Sequence, residues 1–293
     1  RRNNLPIPSV MIALLVTVAA ARGLAAPGRI PTAPKPSHTR LRGGGSMDFT
    51  NYIATGVAGR LALSGTAAFV SPSGCLQLIG VPESEATGES SLAYTRYMAA
   101  SMLTLVAALV AGAGEDFAAG PVILYGSALS LLTSIPNLER LGCPKLPLMV
   151  LIVAQALLAA LTCAGVIDKE LTFVMTAIWA LLNGLQLHVL PELNPKLYGM
   201  NQELSHPAHA MLRATGSLMI AAGAYLFALR YKGHAFALAV LLGSLSTAAL
   251  KFGFFDAGSF GGIARKGAIV EAALDTALAA AAYMAYTSDL AEF

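Results

Sequence analysis

The chain has 293 residues, of which 56% are hydrophobic and only 12% are charged. Soluble globular domains carry about 25% charged residues, so the composition excludes an ordinary soluble domain and indicates a helical membrane protein. The formal net charge of +3 is small and dispersed along the chain, so the charge gives no indication of a nucleic-acid partner.

Residues 1–45 have the composition of a cleavable targeting leader. The stretch from Met11, MIALLVTVAAARGLA, joins a short apolar core to small residues and predicts a signal peptide over about 11–25. Residues 26–45 are basic, contain Ser and Thr and lack acidic residues, as transit peptides do. A signal peptide followed by a transit-like segment resembles the bipartite leader of algae with secondary plastids, which implies a thylakoid or envelope location. The alternative is secretory-pathway entry to another endomembrane or the plasma membrane.

Eight apolar segments follow the leader. A helix of about 20 apolar residues spans a bilayer, so the fold class predicted is all-α, a polytopic membrane protein with eight transmembrane helices. The lipid bilayer is therefore the first expected partner, together with other subunits of a membrane complex. The predicted segments are 52–70, 94–113, 118–135, 146–166, 171–189, 208–229, 233–252 and 266–286.

The sequence also repeats itself. Residues 189–200 match residues 69–81 at an offset of 119, and later matches lie at an offset of 117. This predicts a duplicated unit of four helices, with repeats at 52–166 and 171–286. Because four spans return the chain to its starting side, the repeats share one orientation, related by an axis along the membrane normal. The matches at 117 include Arg96 with Arg213, Met102 with Met219, and Glu139 with Asp256.

The matched charged residues lie at helix ends on one side of the membrane. We expect Arg96 to pair with Glu139 in the first repeat and Arg213 with Asp256 in the second. One interpretation is that these residues are interfacial anchors. The other is an anion or lipid-headgroup site with the arginines as donors.

A second set of charges lies inside the spans and belongs to one repeat only. Glu271 and Asp275 stand four apart in the last segment and therefore share a helix face, whereas the first repeat has Ala154 and Leu158 there. Arg60, in the first segment, falls at nearly the same depth in a bilayer core of about 30 Å. We expect Arg60 to be their counter-ion, in a buried salt bridge or in a proton- or substrate-binding site.

Histidines and cysteines give weaker indications. No metal site is expected, because the HPAH spacing around Pro207 is not a metal-ligand helix pattern. Axial ligation of a chlorophyll or haem by a histidine is one possibility. Cys75 and Cys143 lie in predicted loops on one face, where either a disulfide or two separate thiols can form. The candidate ligand histidines are His188, His206 and His209.

Each repeat has an apolar span, the pattern P-x-x-x-x-x-L-x-G, a polar loop, and an Arg at the head of the next span. This arrangement resembles the DoxX-like group of small four-helix membrane proteins, here as two tandem units. The resemblance implies the fold and little about chemistry. The pattern residues are Pro72, Gly80 and Arg96 in one unit and Pro191, Gly199 and Arg213 in the other.

Three functions fit these observations. The first is a non-enzymatic transporter or binder of a small apolar or anionic molecule, with Arg60, Glu271 and Asp275 between the repeats. The second is a structural or pigment-associated subunit of a photosynthetic complex, with chlorophyll or carotenoid near a histidine or Gln155. The third is a membrane enzyme acting on a lipid or terpenoid, with the two acids as general acid.

Overall fold

The computed structural model describes residues 46–112, 118–197, 199–200 and 203–291. The predicted leader over 1–45 lies outside the described residues. Within these ranges the chain is helical and contains no strand. The helices are α1 (Ser46–Val70), α2 (Pro72–Leu78), α3 (Glu83–Ala86), α4 (Glu89–Gly112), α5 (Ala119–Arg140), α6 (Lys145–Cys163), α7 (Lys169–Val189), α8 (Leu193–Leu197), α9 (His206–Lys232), α10 (His234–Lys251) and α11 (Gly262–Ala291).

Eight helices of the described part are long and apolar enough to cross a bilayer: α1, α4, α5, α6, α7, α9, α10 and α11. Large apolar side chains cover their outer surfaces; Leu63 and Leu146, for example, are 76% and 75% exposed. Exposed apolar surface of this extent fits contact with lipid. The prediction of an all-α polytopic membrane protein is confirmed.

Side-chain caps and a glycine define several of the helix ends. Asp168 caps α7 by accepting a hydrogen bond from the Glu170 amide at 3.0 Å. Ser205 does the same for α9 through the Ala208 amide at 3.4 Å. Gly233 alone separates α9 from α10, and its φ of +83° is a conformation that favours glycine.

The short helices α2 and α8 end in the same way. Gly80 follows α2 with a φ of +95°, and its amide donates to the Gln77 carbonyl at 2.9 Å. Gly199 follows α8 with a φ of +70°, and its amide donates to the Lys196 carbonyl at 3.1 Å. Both turns are glycine-terminated helix caps, so the two Pro…Gly loops identified in the sequence have matching conformations.

The helices form one interlocked array. In the first half α1 packs on α4, α4 on α5 and α5 on α6; in the second half α7, α9, α10 and α11 pack in the same order. The halves meet at a central contact between α4 and α9, flanked by contacts of α5 with α7 and of α1 with α10 and α11. Exchanging the halves maps this pattern onto itself, as a duplication predicts, although the duplication itself stays a prediction.

Small residues set the closest helix approaches. A side chain at Gly184 in α7 would place its Cβ 2.8 Å from the Gly216 carbonyl oxygen of α9. At the matching positions of the first half, a Cβ on Gly65 would lie 3.1 Å from the Ala99 carbonyl. Both helix pairs therefore pack backbone against backbone, as small residues allow in membranes.

Helix α10 changes form before it ends. Residues Phe252–Asp256 continue it as a π-helix, and the Ala257 amide donates to the Phe252 carbonyl at 2.7 Å. Short π segments inside longer helices often mark functional sites. Here the segment contributes Phe252 to the wall of a cavity and carries Asp256 into a buried position.

Candidate functional site

The first polar cluster joins α1 to α11 inside the membrane. Arg60 Nη2 lies 2.6 Å from Asp275 Oδ1, and Arg60 Nη1 lies 3.6 Å from Glu271 Oε1. The side chain of Asp275 is completely buried, that of Arg60 is 24% exposed, and that of Glu271 is 48% exposed. The expected pairing of Arg60 with Asp275 is therefore present, with Glu271 at its open side.

This ion pair leaves hydrogen-bonding capacity unused. Both Nη atoms of Arg60 and both carboxylate oxygens of Asp275 are buried without a hydrogen-bond partner among the described residues. The 2.6 Å contact is thus an ion pair whose N–H groups are not aligned with the carboxylate. Buried polar groups are almost always hydrogen-bonded, so this ion pair is an exception among the described residues.

A cavity of about 190 Å³ lies beside the cluster, bordered by α1, α2, α4, α9, α10 and α11. We call it the Arg60 cavity. Its walls are largely apolar, and Arg60 and Glu271 are the charged side chains among the described residues that line it. The apolar wall includes Leu61, Met98, Met102, Met211 and Phe252.

Hydroxyl groups fix α11 beside this cavity. Ser246 of α10 lies 2.8 Å from the Thr276 hydroxyl and donates to the Ala272 carbonyl at 3.0 Å. These contacts bracket Asp275 along α11. They hold the helix rotation that points Asp275 at Arg60.

A smaller cavity of about 30 Å³ occupies the corresponding place in the other half, bordered by α4, α5, α7 and α9. We call it the Trp179 cavity. Trp179 and Ala180 line it at the positions that lie 119 residues after Arg60 and Leu61. An indole therefore stands in the wall of the smaller cavity where a guanidinium stands in the wall of the larger one.

The second ion cluster lies at the membrane face. Arg213 Nη1 donates to Asp256 Oδ1 at 3.1 Å, and Lys251 Nζ donates to Asp256 Oδ2 at 3.0 Å. The expected Arg213–Asp256 pair is present, and Lys251 joins it. Asp256 is only 3% exposed, so two cations compensate one buried carboxylate.

The corresponding pair in the first half is not formed, and this prediction was wrong. Glu139 instead lies 2.6 Å from Lys145 Nζ, across the short turn between α5 and α6. Helix α5 ends at Arg140 without the π segment that carries Asp256 inwards in α10. Glu139 therefore stays at the helix end and pairs with Lys145 at the start of α6, while Arg140 pairs with Glu89. The Nε atom of Arg96 is buried and has no hydrogen-bond partner within the part of the chain that the structure describes.

The three candidate histidines do not converge on one site. His188 Nδ1 lies 2.9 Å from the Ser217 hydroxyl, between α7 and α9. His206 Nε2 lies 2.8 Å from the Ser259 hydroxyl, and its ring packs against Phe260. Each of these two rings therefore has a polar partner within the protein. His209 differs, because its Nε2 atom is buried without a hydrogen-bond partner among the described residues.

Cys75 and Cys143 remain separate thiols, not joined by a disulfide. Cys75 lines the Arg60 cavity from α2, and burial raises the pKa of its thiol. The structure thus adds Cys75, the wall methionines and Trp179 to the residues that the sequence indicated. Trp179 could have been found by applying the offset of 119 to Arg60.

Comparison with known proteins gives no match to a family model, to a curated protein or to a solved structure.

Proposed function

We propose that this is a non-enzymatic integral membrane protein that binds or transports a small amphipathic anion in the Arg60 cavity. The observation that carries the proposal is the position of Arg60. Its guanidinium lines a largely apolar cavity between the two halves, where Glu271 is the other charged side chain among the described residues, and its Nη atoms lack aligned acceptors. A carboxylate, sulfonate or phosphate headgroup supplies the acceptors that a guanidinium binds most strongly.

The rest of the cavity suits an apolar tail. Methionine side chains from α4 and α9 (Met98, Met102 and Met211) line it, and methionine adapts to ligands of varied shape. An engineered cavity of about 150 Å³ holds benzene, so about 190 Å³ accommodates a tail of roughly six carbons. Sites for drug-sized ligands measure about 300–1,000 Å³, which favours a small molecule over a tetrapyrrole or carotenoid.

The difference between the Arg60 cavity and the Trp179 cavity supports a ligand site over a packing defect. Of the two cavities in corresponding places, the larger one has the guanidinium at its wall and the smaller one has the indole of Trp179. The acids that pair with Arg60 are likewise absent from the first half, which has Ala154 and Leu158 at those positions. Intramembrane charge is costly and is usually kept for function.

The test uses three probes that share a hexyl chain and differ in headgroup charge, with the protein in lipid nanodiscs. Hexanesulfonate should bind saturably and at least about 10-fold more tightly than hexanol, because a charged hydrogen bond is worth about 1.5–3 kcal/mol. Hexyltrimethylammonium should bind most weakly. Tighter binding of the ammonium probe, or no saturable binding of the sulfonate, contradicts the proposal.

A matched pair of substitutions locates the site. Ala248→Leu places a larger side chain in the wall of the Arg60 cavity and should abolish sulfonate binding. Ala160→Leu makes the same change on the exposed surface of α6 and should leave binding intact. Equal loss in both variants would show that binding does not occur in this cavity. Sulfonate flux across proteoliposomes that contain the wild type then separates transport from binding alone.

The location and family are part of the same proposal. The leader composition of residues 1–45 supports delivery to a plastid membrane, and the two Pro…Gly loops support a tandem of DoxX-like units. A fluorescent fusion to the full chain, imaged with chlorophyll autofluorescence, tests the location. Signal confined to the endoplasmic reticulum or plasma membrane would contradict it.

A further inference from the structure

The cluster beside the Arg60 cavity contains one guanidinium and two carboxylates. Arg60 contacts Asp275 at 2.6 Å and Glu271 at 3.6 Å. Both acids are within reach of the same cation, so the cluster has no spare positive charge for a third anion. This charge balance means that any anion that binds there must share Arg60 with the two acids.

An anionic ligand at Arg60 competes with the carboxylates. The Nη atoms face Asp275 and Glu271, so a headgroup accepting hydrogen bonds from them draws the guanidinium away from the acids. A carboxylate left in an apolar, fully buried position without its counter-ion is strongly destabilised. Protonation removes that cost, because the neutral acid requires no counter-ion.

We propose that anion binding in the Arg60 cavity is coupled to the uptake of one proton by the acid pair Glu271 and Asp275. The inference rests on the proposed function and adds its coupling ion. The buffered solvent supplies the proton, which ends on a carboxylate oxygen of the pair. The guanidinium keeps its charge and exchanges its carboxylate partner for the ligand headgroup. One anion and one proton enter together, so the net charge of the site does not change.

Among the described residues, the charged groups that act on Asp275 are Arg60 and Glu271. The Cys75 thiol lines the same cavity, but burial raises its pKa, so it is already protonated at neutral pH and cannot take up the proton. Helix α1 contributes Arg60, and α10 contributes the Ser246 hydroxyl beside Thr276. Lys251 and Asp256, at the end of α10, are bonded to each other. On α11 itself Glu271 and Asp275 are neighbours one turn apart. The coupled proton is therefore assigned to this pair.

Hexanesulfonate is also the probe for this step, because a sulfonate stays ionised at neutral pH. Any proton taken up on binding must then reside on the protein. Calorimetric titration of the wild type in nanodiscs, repeated in buffers of different ionisation enthalpy, should report about one proton bound per sulfonate. Wherever the acid pair is deprotonated in the free protein and holds one proton in the complex, the Kd should rise about 10-fold per pH unit.

The double variant Glu271→Gln/Asp275→Asn removes the proton acceptors and keeps Arg60. It should bind hexanesulfonate without proton uptake and with a Kd independent of pH. The Ala160→Leu protein is the matched control and should retain both binding and uptake. If the double variant does not fold, the proton count of the wild type decides alone.

The outcomes separate the two proposals. Saturable sulfonate binding by the wild type without proton uptake overturns the coupling and leaves the binding function standing. Uptake that persists in the double variant also overturns the assignment to the acid pair. Absence of saturable binding overturns the proposed function, and the coupling with it.

Discussion

Trp179 in α7 lies 119 residues after Arg60 in α1, an offset of the predicted repeat, and each side chain lines one of two cavities. The cavity lined by Arg60 measures about 190 Å³ and the one lined by Trp179 about 30 Å³. The larger cavity has a guanidinium in its wall and the smaller one has an indole.

Replacing Trp179 should open the second cavity. Trp179→Ala removes the indole, and the remaining wall is mostly apolar, so the new space should admit an uncharged aromatic molecule. Fluorine NMR with fluorobenzene should show about one additional bound equivalent relative to the wild type, after subtraction of lipid partitioning. Trp179→Phe is the control and should show little gain. Unchanged occupancy in Trp179→Ala would mean that neighbouring helices collapse into the space.

A methyl group at the α7–α9 crossing should destabilise the fold. In Gly184→Ala the Cβ would lie 2.8 Å from the Gly216 carbonyl oxygen and the Ile220 amide, and backbone atoms cannot rotate away. Overpacking of this kind costs about 1–3 kcal/mol. Thermal unfolding in detergent measures the loss.

Gly56→Ala in α1 is the matched control for that substitution. No heavy atom lies within 4 Å of the added Cβ, and alanine favours a helix over glycine by about 1 kcal/mol. Its melting temperature should stay the same or rise. Similar losses in both variants would show that the α7–α9 contact does not determine the effect.

The two halves offer a test of charge burial at corresponding positions. Asp256→Asn removes a nearly buried carboxylate that binds Arg213 and Lys251, and breaking such a cluster costs up to about 3–5 kcal/mol. Glu139→Gln removes only the contact with Lys145, whose side chain is 67% exposed, and should cost at most about 1 kcal/mol. Chemical or thermal unfolding of both variants measures the difference. Equal costs would indicate that Asp256 is solvated.

Cys75 should report occupancy of the Arg60 cavity. Burial raises the pKa of its thiol, so little thiolate is present at neutral pH and maleimide labelling should accelerate as pH rises through and above the ordinary thiol range. In a Cys143→Ser/Cys163→Ser protein, hexanesulfonate should slow the labelling of Cys75. Mass spectrometry of timed samples gives the rates.

The control for that experiment keeps Cys143 as the single thiol. Burial raises the pKa of this thiol as well, but Cys143 does not line the Arg60 cavity. Its labelling should show the same pH trend and no effect of the sulfonate. Protection of both thiols would point to a general change in the protein and not to an occupied cavity.

The charged residues show which ion pairs could be predicted from the sequence. Depth arithmetic brought Arg60 to Asp275 correctly, because helix rise and bilayer thickness constrain a long buried side chain. The position of both residues at helix ends on one membrane side assigned Glu139 to Arg96, and this prediction was wrong. At the membrane face many partners compete, and Lys145 lies across a short turn from Glu139.

By itself, the sequence determined the eight spans, their order along the chain and the presence of charge inside the first and last of them. Hydropathy is a property of consecutive residues, and a bilayer forces each apolar stretch into a helix whose backbone bonds are internal. Only the tertiary structure decided that Met98, Met211 and Phe252 line one cavity and that Trp179 lines a second, smaller one. A cavity is the mismatch between side chains on helices distant in sequence, and it exists only after those helices pack.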